Sequence, residues 1–251
     1  MSDSSIWFRV YRPVPWPRLR LVCFPHAGAG ATAYRAWPAL LPPDIELLAV
    51  CYPGRQDRFG EPFASSVDSL AAGIAEALLP LTGTPLALFG HSMGALVAYE
   101  VAVRMEREHR VVPHHLFVSG RWTPDREDDR RLHLADDDAL IAEMGRLGNA
   151  DLDLFAVTEL RELMLGVLRE DYRLLATHSR PRLDRIAAPI VAYSGDRDPG
   201  CTPDDAAGWD RATAAGFALR VFPGDHFYLV PGATELAGDL VARLSGVPST
   251  H

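Results

Sequence analysis

Residues 86–102 read LALFGHSMGALVAYEVA, an apolar run that passes through Gly90, His91, Ser92, Met93 and Gly94 into a helical pattern. A serine on so tight a strand-to-helix turn has a strained backbone, and glycines two residues to either side remove side chains that would clash there. The hydroxyl of Ser92 is then left exposed. The helix that starts at Met93 opens with backbone N–H groups lacking intrahelical acceptors, aimed where an acyl oxygen would gain negative charge. The stretch reads as a nucleophile elbow. A buried strand running straight into a helix is also the repeating unit of a mostly parallel sheet flanked by helices.

Working outward, apolar runs bounded by turn residues recur at Leu19 to Phe24, Leu47 to Tyr52, Leu116 to Ser119, Ile190 to Ser194 and Ala218 to Phe222. They read as buried parallel strands. Helical patterns lie between them at Tyr34 to Leu41, Val67 to Leu79, Met93 to Glu108, Pro203 to Trp209 and Thr234 to Leu244. This alternation predicts one doubly wound α/β core made of residues 1–120 and 186–251. It breaks over 121–185, where the stretch TPDREDDRRLHLADDD is dense in charge and no strand is evident. Leu160, Leu163, Met164, Val167, Leu168, Tyr172 and Leu175 follow at helical spacing, so 121–185 is read as a helical lid insertion whose apolar face covers part of the core, lines an acyl tunnel, or does both.

The 251 residues suffice for one such core, which buries about 70–75 % of the unfolded surface. A net charge of −8 excludes a general nucleic-acid binder, since no basic surplus is present to neutralise phosphates. Lysine is absent and all 25 basic residues are arginine, which excludes a lysine Schiff base and a P-loop lysine. Cys23, Cys51 and Cys201 are widely spaced and suggest neither a disulfide framework nor a zinc ribbon. With no secretion signal and no apolar run of membrane-spanning length, a soluble cytoplasmic protein without membrane partners is expected.

A serine alkoxide does not form unaided at neutral pH, so a histidine must take its proton and a carboxylate must orient that histidine. FPGDHFYLV, residues 222–230, places His226 on a loop after the last strand, and it is the expected general base. His91 is tied to the backbone beside the serine, and His109, His114, His115, His133 and His178 lie in helices, strands or the insertion; all are read as structural. The acid should leave the strand ending YSGDRDP, residues 193–199. Asp198 is preferred, because Gly195 must begin a turn before a carboxylate can swing round, and Asp196 is better placed to brace that turn. Asp225, next to His226, cannot easily reach its Nδ1. The Gly/Ala-rich loop CFPHAGAGATAY, residues 23–34, lets backbone N–H groups approach a substrate oxygen, so Ala27 and Met93 are the expected oxyanion donors. Neither a metal nor an organic cofactor is required.

With FPHAGAGA, CYPGRQDRF, LFGHSMGALVAYE, FVSGR, LREDYRLL, YSGDRDP and FPGDHFYLV in this order, the chain resembles the type II thioesterases of polyketide and nonribosomal-peptide synthesis. The resemblance spans nearly the whole sequence. GHSMG is general to α/β hydrolases, whereas YPGRQDR and LREDY are narrower. It implies an α/β-hydrolase fold with a helical lid, and hydrolysis of acyl groups from the phosphopantetheine thiol of acyl or peptidyl carrier proteins. The family's triad falls on Ser92, Asp198 and His226, and its oxyanion donors on Ala27 and Met93. Glu170 in LREDY and Asp225 before the histidine depart from the residues common there. Arg55 and Arg58 are open between supporting the site, meeting an acidic carrier protein or the pantetheine phosphate, and structural salt bridges. A carboxylesterase, an acyl transferase forming a macrocycle and a hydrolase-fold binding protein without turnover are the competing readings.

Overall fold

The structure is a computed structural model, and it describes residues 6–126, 130–148, 157–179 and 182–246. Seven strands form one sheet: β1 (Phe8–Arg9), β2 (Leu19–Phe24), β3 (Ile45–Val50), β4 (Leu86–His91), β5 (His115–Ser119), β6 (Ile190–Gly195) and β7 (Phe217–Phe222). Their spatial order is β1-β3-β2-β4-β5-β6-β7, antiparallel only between β1 and β3. The mostly parallel α/β fold expected from the alternation is present.

β4 is buried at every position because both of its faces are covered. Leu86 and Leu88 join Val22, Phe24, Leu48 and Val50 on one side, under α1 (Val67–Leu78) and α2 (Met93–His109). Ala87 and Phe89 join Leu21, Cys23, Leu47 and Phe117 on the other, against Tyr34, Trp37 and the apolar side of α6 (Ala233–Leu244). Period-two alternation thus feeds two cores from one set of apolar strands. Local chemistry sets the helix ends. Ser66 and Ser69 form a reciprocal capping box at the start of α1, worth about 1 kcal/mol. Arg110, in the left-handed region at φ 56°, ends α2.

Three expectations are corrected. Tyr34 to Leu41 is not one helix but two single 3-10 turns, Ala31–Tyr34 and Trp37–Leu40, because Gly30 opens the first turn and Pro38 sits inside the second. The strand expected at Leu47 to Tyr52 runs from Ile45 to Val50; Tyr52 leaves the sheet to donate its hydroxyl to the Pro25 carbonyl at 3.2 Å. β1 went unforeseen. The helix expected at Pro203 to Trp209 is α5 (Pro203–Ala207) followed by a 3-10 turn over Gly208–Ala212.

Between the neighbouring strands β5 and β6 the chain makes α3 (Asp137–Arg146) and α4 (Thr158–Thr177). Asp136 caps α3 by accepting from the Ala139 amide at 2.8 Å. The apolar stripe of α4 divides: Val167, Leu168, Tyr172 and Leu175 are buried, whereas Leu160 and Leu163 remain exposed. Residues 127–129 of the charged stretch lie outside the described residues.

Candidate active site

Ser92 sits between β4 and α2 with φ 53° and ψ −118°, a conformation sparsely populated by any residue with a side chain. The turn is held by the Ser92 amide donating to the Ser119 carbonyl at 2.8 Å. Neither flanking glycine could carry a Cβ. One on Gly90 would lie 2.1 Å from the Gly94 carbonyl oxygen, and one on Gly94 would lie 2.0 Å from that of Phe24. The same close approach brings the end of β2, and hence the loop from Pro25 to Gly30, against the first turn of α2. Ala27 follows in that loop and lines the cleft containing Ser92, while Met93 is the first residue of α2.

The loops after β6 and β7 supply the other two groups. His226 Nδ1 donates to Asp198 Oδ2 at 2.8 Å, and both side chains are buried. Asp198 Oδ1 accepts from the amides of Gly200 at 2.7 Å and Cys201 at 3.1 Å, so the carboxylate is held at both oxygens. The proton on Nδ1 leaves Nε2 with a lone pair, the form in which an imidazole serves as a base. Asp196 instead accepts from the Gly224 amide at 2.7 Å and braces the turn. Asp225 is spent on the Phe227 amide at 2.9 Å. Gly195 brings these two loops together, since a Cβ there would meet the Asp225 carbonyl oxygen at 2.4 Å.

Ser92 and His226 thus border one cleft, of about 480 Å³ counted with its open mouth. Its walls are His26, Ala27 and Gly120 from the strand ends, Arg121 and Trp122 after β5, Met144 and Leu147 at the end of α3, and Tyr172 and Leu175 of α4. α3 and α4 each touch one half of the centre. Leu147 packs on Gly200 and Arg146 donates to the Pro199 carbonyl at 3.1 Å, beside Asp198. α4 reaches the loop after β2 through Asp171, which is fully buried. Its Oδ2 accepts from the Gly28 amide at 2.8 Å, and its two oxygens take a bidentate bond from Arg55 at 2.6 Å each. Arg55 also donates to the Ala29 carbonyl at 3.0 Å. Arg58 pairs with Glu61, donates to the Cys51 carbonyl at 3.0 Å and lies over the Trp7 ring. Both guanidiniums are buried in salt bridges, the structural reading among those left open by the sequence.

Two imidazoles that sequence reasoning set aside or passed over lie in the centre. His91 is fully buried, with its ring centroid 4.7 Å from that of His226. His26 lines the cleft and meets His91 edge-on at 5.8 Å and Phe227 at 5.1 Å. Burial, with the neighbouring His226 charge, lowers His26 to about 4 and holds His91 well below the usual imidazole range. The other histidines among the described residues do not line the cleft. His178 meets Glu100 at 3.2 Å, and His114 and His115 contact each other. The signal for the first two was positional: both stand at the carboxyl ends of adjacent central strands, where ligands of such sheets gather.

Among the described residues no helix is long and apolar enough to cross a membrane. Thioesterase PikA5 of Streptomyces venezuelae is 41 % identical over 96 % of this chain and 86 % of its own length. Gramicidin S biosynthesis protein GrsT of Aneurinibacillus migulanus is 33 % identical over 94 % of this chain and 93 % of its own. Among solved structures, the type II thioesterase BorB from the borrelidin biosynthetic cluster superposes with a TM-score of 0.86 at 37 % identity, covering 97 % of this chain and all of that one. The thioesterase domain family profile matches residues 19–244, and with the strained turn at Ser92, the buried Asp198–His226 pair and the parallel sheet beneath them the chain belongs to the thioesterase domain family.

Proposed function

We propose that this protein is an editing thioesterase that hydrolyses acyl groups from the phosphopantetheine arm of acyl or peptidyl carrier proteins, through an acyl-serine intermediate. The observation that carries the reading is the Asp198-held imidazole of His226 bordering the same cleft as Ser92, in a chain similar to a gramicidin S biosynthesis protein and to a type II thioesterase from the borrelidin biosynthetic cluster.

In this mechanism His226 Nε2 takes the Ser92 proton as Oγ attacks the thioester carbonyl. The amides of Ala27 and Met93 donate to the resulting oxyanion, each worth about a hundred- to thousandfold in rate. The tetrahedral intermediate collapses with cleavage of the C–S bond, and the His226 imidazolium gives its proton to the departing thiol. Water, deprotonated by the same imidazole, then attacks the acyl-serine ester; the bond from the acyl carbon to Ser92 Oγ breaks, the imidazolium returns its proton to Oγ and the carboxylic acid leaves. Asp198 holds the tautomer and stabilises the imidazolium throughout. The described residues of the 121–185 insertion act as a lid, with Met144, Leu147, Tyr172 and Leu175 shaping the acyl side of the cleft, and the reaction takes place in the cytoplasm. No step calls for a metal or an organic cofactor.

The test is mass spectrometry of a carrier protein loaded with acetyl- or propionyl-phosphopantetheine, incubated with wild-type protein and with Ser92→Ala. Loss of the acyl mass with the wild type alone is expected. A carrier that stays loaded while simple oxygen esters are cleaved would replace this reading with a carboxylesterase.

A further inference from the structure

Ala27 belongs to a loop that side chains hold on either side of it. The upstream end is fixed from the core: the Tyr34 hydroxyl donates to the Phe24 carbonyl at 2.8 Å and the Tyr52 hydroxyl to the Pro25 carbonyl at 3.2 Å. Beyond this point the chain makes a turn, closed by the Ala29 amide donating to the His26 carbonyl at 3.1 Å, with Ala27 and Gly28 at its corner. Gly28 has φ 80°, the third-position geometry of a type II turn, which glycine adopts without steric cost. The same freedom lets the central Ala27–Gly28 peptide rotate with little opposition from the backbone. Its orientation must be fixed from outside the turn.

The hold comes from α4. Asp171 is fully buried, and its Oδ2 accepts the Gly28 amide, the N–H of that central peptide, at 2.8 Å. The same oxygen takes Arg55 Nη1 at 2.6 Å, and Nη1 also donates to the Ala29 carbonyl at 3.0 Å. Leu168, on the preceding turn of α4, lies against the same corner: a Cβ on Gly28 would meet its Cδ1 at 3.3 Å. The Ala27 amide, by contrast, has no hydrogen-bond partner among the described residues, and Ala27 lines the cleft with Ser92. A turn whose neighbouring groups are bonded while one amide stays open is suited to an oxyanion donor, which must be aimed before charge develops.

We propose that Asp171 is a positioning residue for the Ala27 oxyanion donor: by holding the Gly28 amide it fixes the plane of the Ala27–Gly28 peptide, and with it the direction of the adjoining Ala27 N–H. Asp171 touches no reacting atom and acts through the backbone. α4 therefore does more than wall the cleft, since one of its side chains is part of the frame of the oxyanion site. The amide meets full negative charge only in the transition state, so a misaimed donor lowers kcat and leaves KM near its value.

The role rests on the donor assigned to Ala27 above, and the test separates it both from the stability of the ion pair and from the choice of substrate. Steady-state hydrolysis is measured on an acetyl-loaded carrier protein and on p-nitrophenyl acetate, below the melting temperature of every variant. Arg55→Met with Asp171→Leu removes both charges and refills the space but offers Gly28 no acceptor. Its kcat is expected to fall roughly tenfold to a hundredfold, the scale of a small misplacement of a catalytic group, with KM within about twofold. It melts above Asp171→Ala yet is expected to be as slow, because neither variant gives the Gly28 amide a partner. Asp171→Asn keeps an acceptor. Its amide oxygen takes the side that meets two donors, Gly28 and Arg55 Nη1, so kcat is expected within about fivefold of wild type even though the Arg55 charge is left unbalanced. A double variant whose kcat lies within about twofold of wild type, or an Asp171→Asn variant as slow as the double one, would overturn the positioning role. Wild-type protein that cleaves the ester but leaves the carrier loaded would remove the editing function, while the same variants on the ester still decide the role of Asp171. Wild-type protein inactive on both would overturn the two together.

Discussion

Replacing Asp171 by alanine removes the carboxylate that joins α4 to the loop after β2. Three donors lose their acceptor together: both Arg55 nitrogens at 2.6 Å and the Gly28 amide at 2.8 Å. The Arg55 side chain is 7 % exposed, so the guanidinium stays out of water with no counter-charge. Breaking a buried pair from one side destabilises by about 3–5 kcal/mol, and a chain of this size has about 5–15 kcal/mol in all. At about 2–4 °C per kcal/mol for a domain of this length, a loss near 4 kcal/mol lowers the melting temperature by roughly 8–16 °C. Differential scanning calorimetry at neutral pH, with urea unfolding beside it, measures this directly. The double variant Arg55→Met with Asp171→Leu removes both charges and refills the space. It should regain about half of the loss, the remainder reflecting the Gly28 amide and Ala29 carbonyl left without partners. A melting temperature for Asp171→Ala within 3 °C of wild type (well under the roughly 8 °C minimum worked above), or a double variant weaker than the single one, would refute this account of the pair.

The two carboxylates after β6 should separate cleanly. Asp198→Asn is expected to lower kcat by about 10⁴-fold, because an amide can turn its NH₂ to Nδ1 and select the wrong imidazole tautomer; Asp196→Asn should stay within about tenfold, and equal losses would reverse the assignment. Gly94→Ala should yield little folded protein, since its Cβ would have to occupy space 2.0 Å from the Phe24 carbonyl oxygen; soluble, fully active Gly94→Ala would show that the elbow is looser than described. Stability should fall on acidification. His26 and His115 are lowered from 6.5 to about 4, chiefly by burial, so between those values the unfolded chain binds more protons than the fold. Their contribution is complete above pH 6.5 and is lost as pH drops toward 4; urea midpoints that match at pH 7 and pH 5 would contradict this.

Much of the site was legible because its chemistry is local. Gly90 and Gly94 frame Ser92 within five residues, Gly195 and Pro199 bracket Asp198, and His226 follows the last strand directly. What stayed hidden depends on separate segments meeting. β1 is two residues long and exists only because Phe8 and Arg9 find the free edge of β3. Pro38 and the apolar spacing around it imitate a helix that the flanking turns cannot continue. His91 became visible only once adjacent parallel strands brought the ends of β2 and β4 under the loop that carries His226. Asp171 did leave a trace. It lies three residues from Leu168 and four from Leu175, a charge on the stripe of α4 that packs inward, and a carboxylate in that position requires a buried partner.

The three cysteines acquire a chemical meaning from where they lie. Cys23 and Cys201 are fully buried, Cys51 is 9 % exposed, and burial raises all three thiols above their ordinary range. Cys201 stands three residues from Asp198 and donates its amide to that carboxylate. Thioesters exchange readily with thiolates, and hydrolysis of one liberates a fresh thiol at each turnover. Burial and raised thiols disfavour both routes by which the sulfurs of this hydrolase could react, exchange with a thioester and pairing with the thiol that its hydrolysis liberates.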